Sequence, residues 1–277
     1  MAETQITASS KDGLALVGRE WRPHGQVRGV VCLVHGLGEH TGRYSHVAAA
    51  LDQAGYAVLG LDLRGHGRSA GQRGFTPSYD TFLDDLDVLL EEAGRRFPSS
   101  PLFFYGHSLG GNLVLYHAIR RRPALCGVVA SSPQLRLAFQ PPAWKTTLGR
   151  LLFNAWPSFS MPSGLERAAL SRDPAVVRAY AEDPLVHDRV TPRLGIGLID
   201  VGEWLLAHAS EMHLPVLIYN GSEDRLTSAQ ACREFAAKVP SDCSLKIWDG
   251  LYHETHNEPQ QGEVLSLVVQ WLKAHTP

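Results

Sequence analysis

Pro101-Leu102-Phe103-Phe104-Tyr105-Gly106-His107-Ser108-Leu109-Gly110-Gly111 is the stretch on which the architecture turns. The apolar run reads as a buried strand and the residues after it as a helix. Leu113, Val114, His117, Ala118 and Ile119 suit one helix face, Arg120 to Arg122 complement the negative end of the helix dipole, and Pro123 stops it. A side chain two residues to either side of the serine would clash where strand and helix crowd together. Glycines at those places allow a strained turn that holds the serine hydroxyl out. The expectation is a strand, a sharp turn and a helix that present Ser108 as a nucleophile.

The five-residue pattern occurs a second time, as Gly67-Arg68-Ser69-Ala70-Gly71. The residues after it, Gln72-Arg73-Gly74-Phe75-Thr76-Pro77, are rich in breakers and cannot open a helix, so Ser69 is expected in a loop.

Around the elbow, short apolar runs alternate with amphipathic patterns. Gly29 to Val34, Ala57 to Leu61, Leu102 to Tyr105, Gly127 to Ala130, Val216 to Tyr219 and Leu245 to Trp248 read as strands. Phe82, Leu83, Leu86, Leu89, Leu90 and Ala93 repeat at helical spacing, as do Val264, Leu265, Leu267, Val268, Trp271 and Leu272. Alternation of this kind implies an α/β fold, a mostly parallel central sheet flanked by helices on both faces. Gln5 to Ala8 and Leu14 to Glu20, split by Lys11-Asp12-Gly13, read as an antiparallel hairpin on the sheet edge. Between about Pro133 and Asp200 the alternation breaks, and prolines recur at 133, 141, 142, 157, 162, 174, 184 and 192. This gives a core of 1–132 and 201–277 with an inserted cap, or lid, at 133–200.

The 277 residues, 44% hydrophobic and 19% charged, can bury one substantial core. With 26 basic and 28 acidic residues the formal net charge is −2, which argues against nucleic acid as a partner. Cys32, Cys126, Cys232 and Cys243 are dispersed, without metal-ligand spacing, and read as buried thiols of a reducing compartment. Met1 to Thr7 lacks the basic start and apolar stretch of a secretion signal, and no run nears the roughly 18 apolar residues that cross a bilayer. A cytoplasmic protein is expected, with peripheral contact to a membrane surface left open.

A serine hydroxyl needs a histidine to take its proton and a carboxylate to orient that histidine. Where an elbow presents the serine, the acid and then the histidine come later in chain order. Asp224 lies just past the strand that ends at Tyr219 and is the leading acid, with Glu223 beside it as the alternative. His253 comes after the last strand through Asp249-Gly250-Leu251-Tyr252, and His256 stands three residues on as a supporting or surface residue. The loop position favours His253. His107 is expected to pack or hydrogen-bond in support. His24, His46, His117, His208, His213 and His275 read as ordinary core or surface histidines. His35-Gly36-Leu37-Gly38 comes directly after the first core strand, where a loop supplies a backbone donor to the developing oxyanion, so the expected donors are the N–H groups of Leu37 and Leu109. A dinucleotide reading of the same glycines fails because Thr41 occupies the place of the third. Neither a metal nor an organic cofactor is called for.

With these residues in hand, the chain resembles the monoacylglycerol lipase and lysophospholipase family of α/β-hydrolases over nearly its full length. The resemblance is carried by the segment from His35 to Tyr44, by Asp62-Leu63-Arg64-Gly65-His66-Gly67-Arg68-Ser69, by the Ser108 elbow, by Asp183-Pro184-Leu185-Val186, by Gly221 to Leu226 and by Tyr252-His253-Glu254-Thr255-His256. It implies the α/β-hydrolase fold, the triad Ser108, Asp224 and His253, and no cofactor. Leu109 stands where some members carry methionine, a swap that leaves the backbone N–H intact.

Within the expected cap, Trp144, Leu148, Leu151, Leu152 and Ala155 recur at helical spacing, with Phe153, Trp156, Phe159 and Met161 close behind. Either this stripe packs the cap onto the body, or part of it, Trp144, Leu148, Leu151, Leu152 and Trp156, lines an acyl tunnel or touches membrane, with Lys145 and Arg150 facing headgroups. The resulting expectation is a serine esterase acting through an acyl-enzyme on monoacylglycerols or similar single-chain lipid esters. The alternatives are a broader carboxylesterase, lysophospholipase or thioesterase, and an idle α/β-hydrolase serving as a small-molecule sensor.

Overall fold

The computed structural model describes residues 1–277. In chain order the elements are β1 (Ala2–Ser9), β2 (Ala15–Arg22), β3 (Gly29–Val34), α1 (Ser45–Gln53), β4 (Tyr56–Leu61), α2 (Tyr79–Arg96), β5 (Leu102–His107), α3 (Leu109–Arg121), β6 (Gly127–Ser131), α4 (Ala143–Ala155), β7 (Met161–Pro162), α5 (Pro174–Glu182), β8 (Arg189–Val190), α6 (Pro192–His208), β9 (Val216–Gly221), α7 (Ala229–Ala236), β10 (Cys243–Trp248) and α8 (Gln261–His275). Eight strands form one sheet in the order β1-β2-β4-β3-β5-β6-β9-β10. The six from β4 to β10 run parallel, and the β1-β2 hairpin joins antiparallel through β2 and β4.

The central strands read as unbroken apolar runs because both of their faces are covered. Val30, Cys32 and Val34 of β3 point into one core with Phe82 and Leu86 of α2, Leu113 of α3 and Phe235 of α7. Val31 and Leu33 point into the other, with Val47 and Leu51 of α1 and Val268 and Leu272 of α8. Successive side chains of a strand alternate between faces, so the two helical layers are the expected consequence. Ser78 caps α2 by accepting the Thr81 N–H, and α3 ends at Arg122 in the left-handed conformation before Pro123.

The stretch 133–200 contributes no strand to the main sheet. It holds α4, α5 and the two-residue antiparallel ladder of β7 and β8. The boundary expected at 200 falls inside α6, whose Leu194, Leu198, Val201 and Leu205 lie in the α2/α3 core. The proline at its first turn suggested a break with the core, yet proline at that place starts a helix.

Parallel sheets present their ligand crevice where the strand order reverses. Here the chain leaves β3 for β4 on one side and returns to β5 on the other, so the loops after β3 and β5 flank that crevice.

Candidate active site

Ser108 sits between β5 and α3 with φ 54° and ψ −112°, a conformation that an L-residue holds only when its surroundings enforce it. The enforcement is visible. A Cβ at Gly106 would lie 2.3 Å from the Gly110 carbonyl, and one at Gly110 would lie 2.0 Å from that of Val34. The Ser108 N–H donates to the Ser131 carbonyl at 2.9 Å, and its own carbonyl accepts the N–H groups of Asn112 at 3.0 Å and Gln134 at 3.1 Å. Its hydroxyl is left free at the wall of a cavity of about 480 Å³.

His253 lines the same cavity. Its Nδ1–H donates to Asp224 Oδ2 at 2.8 Å, and Asp224 also accepts the Thr227 hydroxyl at 2.7 Å and the N–H groups of Leu226 at 2.8 Å and Thr227 at 2.9 Å. Burial by itself would raise the Asp224 carboxyl, but the imidazole and these donors hold it below the usual carboxylate range. Burial would likewise lower His253, and the Asp224 charge and hydrogen bond overcome it and raise the imidazole above its ordinary value. Ser132 Oγ donates to the His253 carbonyl at 2.7 Å and holds the loop in place. Glu223, one residue before the acid, is exposed and does not line the cavity.

Ser69 is elsewhere. It is buried in a loop, donating to the Asp62 carbonyl at 2.5 Å and accepting the Val17 N–H at 2.9 Å. His107 reaches Ser131 Oγ from Nδ1 at 3.2 Å, and burial depresses its imidazole to about 4. His256 is buried, not at the surface. It stacks on Tyr44 and meets His107 edge to face at 4.7 Å, and burial pushes it well below the ordinary histidine range.

Leu37 comes after β3 in the loop that covers the serine, where a Cβ at Gly36 would stand 3.3 Å from that of Ser108. The Leu37 N–H has no hydrogen-bond partner within the chain. Leu109 is the first residue of α3, where a helix offers its N–H no acceptor.

Sequence reasoning missed a buried charge cluster beside the serine. Arg43 grips Glu254 through two bonds of 2.7 and 2.8 Å and also donates to Glu39, which accepts the Tyr44 hydroxyl and the Gly36 N–H, each at 2.6 Å. Burial would raise both carboxyls, but the Arg43 charge holds them low. Glu39 and Glu254 both line the cavity. The signal lay in the two motifs carrying these charges, one on each side of the site.

The acyl-lining expectation for α4 is corrected. None of Trp144, Leu148, Leu151, Leu152 and Trp156 lines the cavity, and Trp144, Leu151 and Trp156 are 64%, 66% and 57% exposed. The stripe seats α4 on α6 only in part: Gly149 packs against Ile196 and Leu152 is half-buried, while Trp144, Leu148, Leu151 and Ala155 stay exposed. The apolar wall comes instead from Leu137, Phe139, Leu165, Leu170, Leu198 and Leu226. No three His, Cys, Asp or Glu side chains converge as a metal-holding group.

The family model described as serine aminopeptidase, S33, matches residues 25–260. The chain belongs to this α/β-hydrolase family. This hydrolase is 36% identical over 265 residues to the monoacylglycerol lipase of Mycolicibacterium smegmatis, covering 95% of this chain and 94% of the other. It is 30% identical to the monoglyceride lipase of Homo sapiens, over 96% and 89% of the two chains. A Dictyostelium discoideum abhydrolase domain-containing protein is 34% identical, and this chain spans 29% of its length. Among solved structures, the monoacylglycerol lipase of Paleococcus ferrophilus superposes with a TM-score of 0.85 at 35% identity, over 99% and 100% of the chains.

Proposed function

We propose that this α/β-hydrolase cleaves monoacylglycerols and similar single-chain lipid esters, with Ser108, Asp224 and His253 as its triad. The observation that carries the reading is the Asp224–His253 hydrogen bond at the wall of the cavity that Ser108 enters. The related lipases support the substrate class. Ser108 Oγ attacks the ester carbonyl while His253 Nε2 takes its proton, and Asp224 stabilises the imidazolium. The N–H groups of Leu37 and Leu109 receive the oxyanion. The tetrahedral intermediate collapses, the C–O bond breaks, and His253 returns the proton to the departing alcohol. Water then repeats the sequence on the acyl-enzyme and releases the fatty acid.

The cavity suits such a substrate because one region is apolar and the other carries the carboxylates of Glu39 and Glu254, acceptors for the hydroxyls of a small polyol. The stretch from about residue 133 to the start of α6 acts as the cap, and the outer face of α4 rests on a lipid surface. Support comes from Trp144, Leu148, Leu151 and Trp156, exposed together with Phe139 and Phe159.

Two measurements test the reading. Ser108→Ala is expected to abolish both turnover and labelling by a fluorophosphonate, and surviving turnover overturns the assignment. Comparing a monoglyceride, a lysophospholipid and an acyl thioester of one chain length is expected to favour the monoglyceride.

A further inference from the structure

The turn that carries Leu37 has its neighbouring backbone groups tied down. The Gly36 N–H donates to Glu39 at 2.6 Å, and the Gly36 carbonyl accepts from His35 Nδ1 at 2.8 Å. His35 Nε2 accepts the Leu63 N–H at 2.8 Å, which places the ring proton on Nδ1 and fixes the direction of that bond. Beyond Leu37, the Gly38 carbonyl accepts the His187 N–H at 2.8 Å. The Leu37 N–H, on the same peptide as the Gly36 carbonyl, is the donor left over among these pinned groups. All but one of these pins belong to the core. The last comes from residues 183–191, the link between α5 and α6.

That link is fastened to two core loops, the one after β3 and the one between β4 and α2. His40 Nδ1 accepts the Gly42 N–H at 3.1 Å, so its Nε2–H donates to Asp183 Oδ2 at 2.8 Å. His187 Nδ1 accepts the Arg189 N–H at 3.1 Å, so its Nε2–H donates to the Gly65 carbonyl at 3.1 Å. Thr191 gives both its N–H, at 3.0 Å, and its hydroxyl, at 2.8 Å, to the Gly74 carbonyl. Burial and the nearby Arg73 charge depress the His187 imidazole to about 4, so the ring is neutral, as these roles require. The fit is close: Gly38 has φ +79°, and a Cβ there would lie 2.3 Å from the His187 carbonyl.

We propose that residues 183–191 form a latch whose attachment through Asp183 and His187 holds the Gly38 peptide and thereby aims the Leu37 N–H at the oxyanion. Asp183 and His187 are positioning residues that touch no reacting atom. The seating of the cap and the completeness of the oxyanion hole are then one event, and lifting the link weakens transition-state binding while Ser108, His253 and Asp224 stay in place. The proposal rests on the reading of Leu37 as an oxyanion donor.

The test compares two inhibitors. An acyl trifluoromethyl ketone accepts Ser108 Oγ at its carbonyl carbon, passes the hydroxyl proton to His253 and leaves an oxyanion in the hole. An alkyl glycerol ether of equal length binds without reacting. In Asp183→Asn/His187→Ala, kcat is expected to fall about tenfold with KM within twofold, since small misplacements at a reacting centre cost up to about a hundredfold. The ketone's inhibition constant is expected to rise by the same factor as kcat falls, and the ether's to stay within twofold. Inhibition constants that rise together, or an unchanged ketone constant, overturn the latch. Should circular dichroism show the double variant unfolded, Asp183→Asn alone carries the same comparison. The parent reading fails separately, if the unaltered enzyme binds the ketone no more tightly than the ether or if Ser108→Ala leaves ketone binding intact.

Discussion

At the residue scale, the two serines in matching pentapeptides separate chemistry from scaffold. Ser69→Ala is expected to keep fluorophosphonate labelling while losing about 1–3 kcal/mol of stability in urea unfolding, because the Val17 N–H and the Asp62 carbonyl lose their partner. Asp224→Asn is expected to lower kcat/KM by about four orders of magnitude, through the wrong imidazole tautomer, with little change in KM. The sign of the pH dependence is set by His253. Its imidazole is raised in the folded chain and must be neutral to accept the serine proton, so activity is expected to rise with pH through a midpoint above the ordinary histidine value of about 6.5. An ester-hydrolysis profile with its acid limb below that value would contradict this. Ser108 was legible because glycines at fixed offsets leave few other backbones to adopt. Asp224 was less so, since Glu223 offers the same chemistry and only the folded loop shows which carboxylate turns inward.

Elements were legible in proportion to their burial. β3, β4, β6 and β9 are buried at every residue, and their unbroken apolar runs marked them in sequence. α4 was not, because periodicity tells that a helix has an apolar face but not what covers it. Its face is expected to bind vesicles: replacing Trp144, Leu151 and Trp156 together with serine should reduce sedimentation with phospholipid vesicles at least tenfold while sparing hydrolysis of a short soluble ester. The apolar wall of the cavity was scattered over several loops and α6, which no single periodic stretch could announce. If that wall holds the acyl chain, kcat/KM is expected to climb roughly tenfold per two carbons, at about 0.8 kcal/mol for each CH₂, and to fall once the chain outgrows the space. A flat series would assign the chain elsewhere.

For the whole molecule, the interior histidines set a limit on the acid side. His66, His107, His187 and His256 are all depressed, chiefly by burial, so the folded chain resists protons that the unfolded chain takes up below about pH 6.5. Folded values below unfolded ones mean that stability is full above that pH and is lost as pH falls toward about 4, the value for His107 and His187. The thermal midpoint is expected to drop steadily across that window and to plateau above it. Doubly buried histidines could not be recognised in advance, since a histidine in sequence carries no mark of its depth.

β10 is both the last strand made and the outer edge of the parallel sheet, and it delivers His253 to a serine placed 145 positions earlier. Contacts of such separation form slowly because the intervening loop must close first. Recovery of turnover after dilution from denaturant should therefore lag behind the return of helical circular dichroism, timing the arrival of the C-terminal edge.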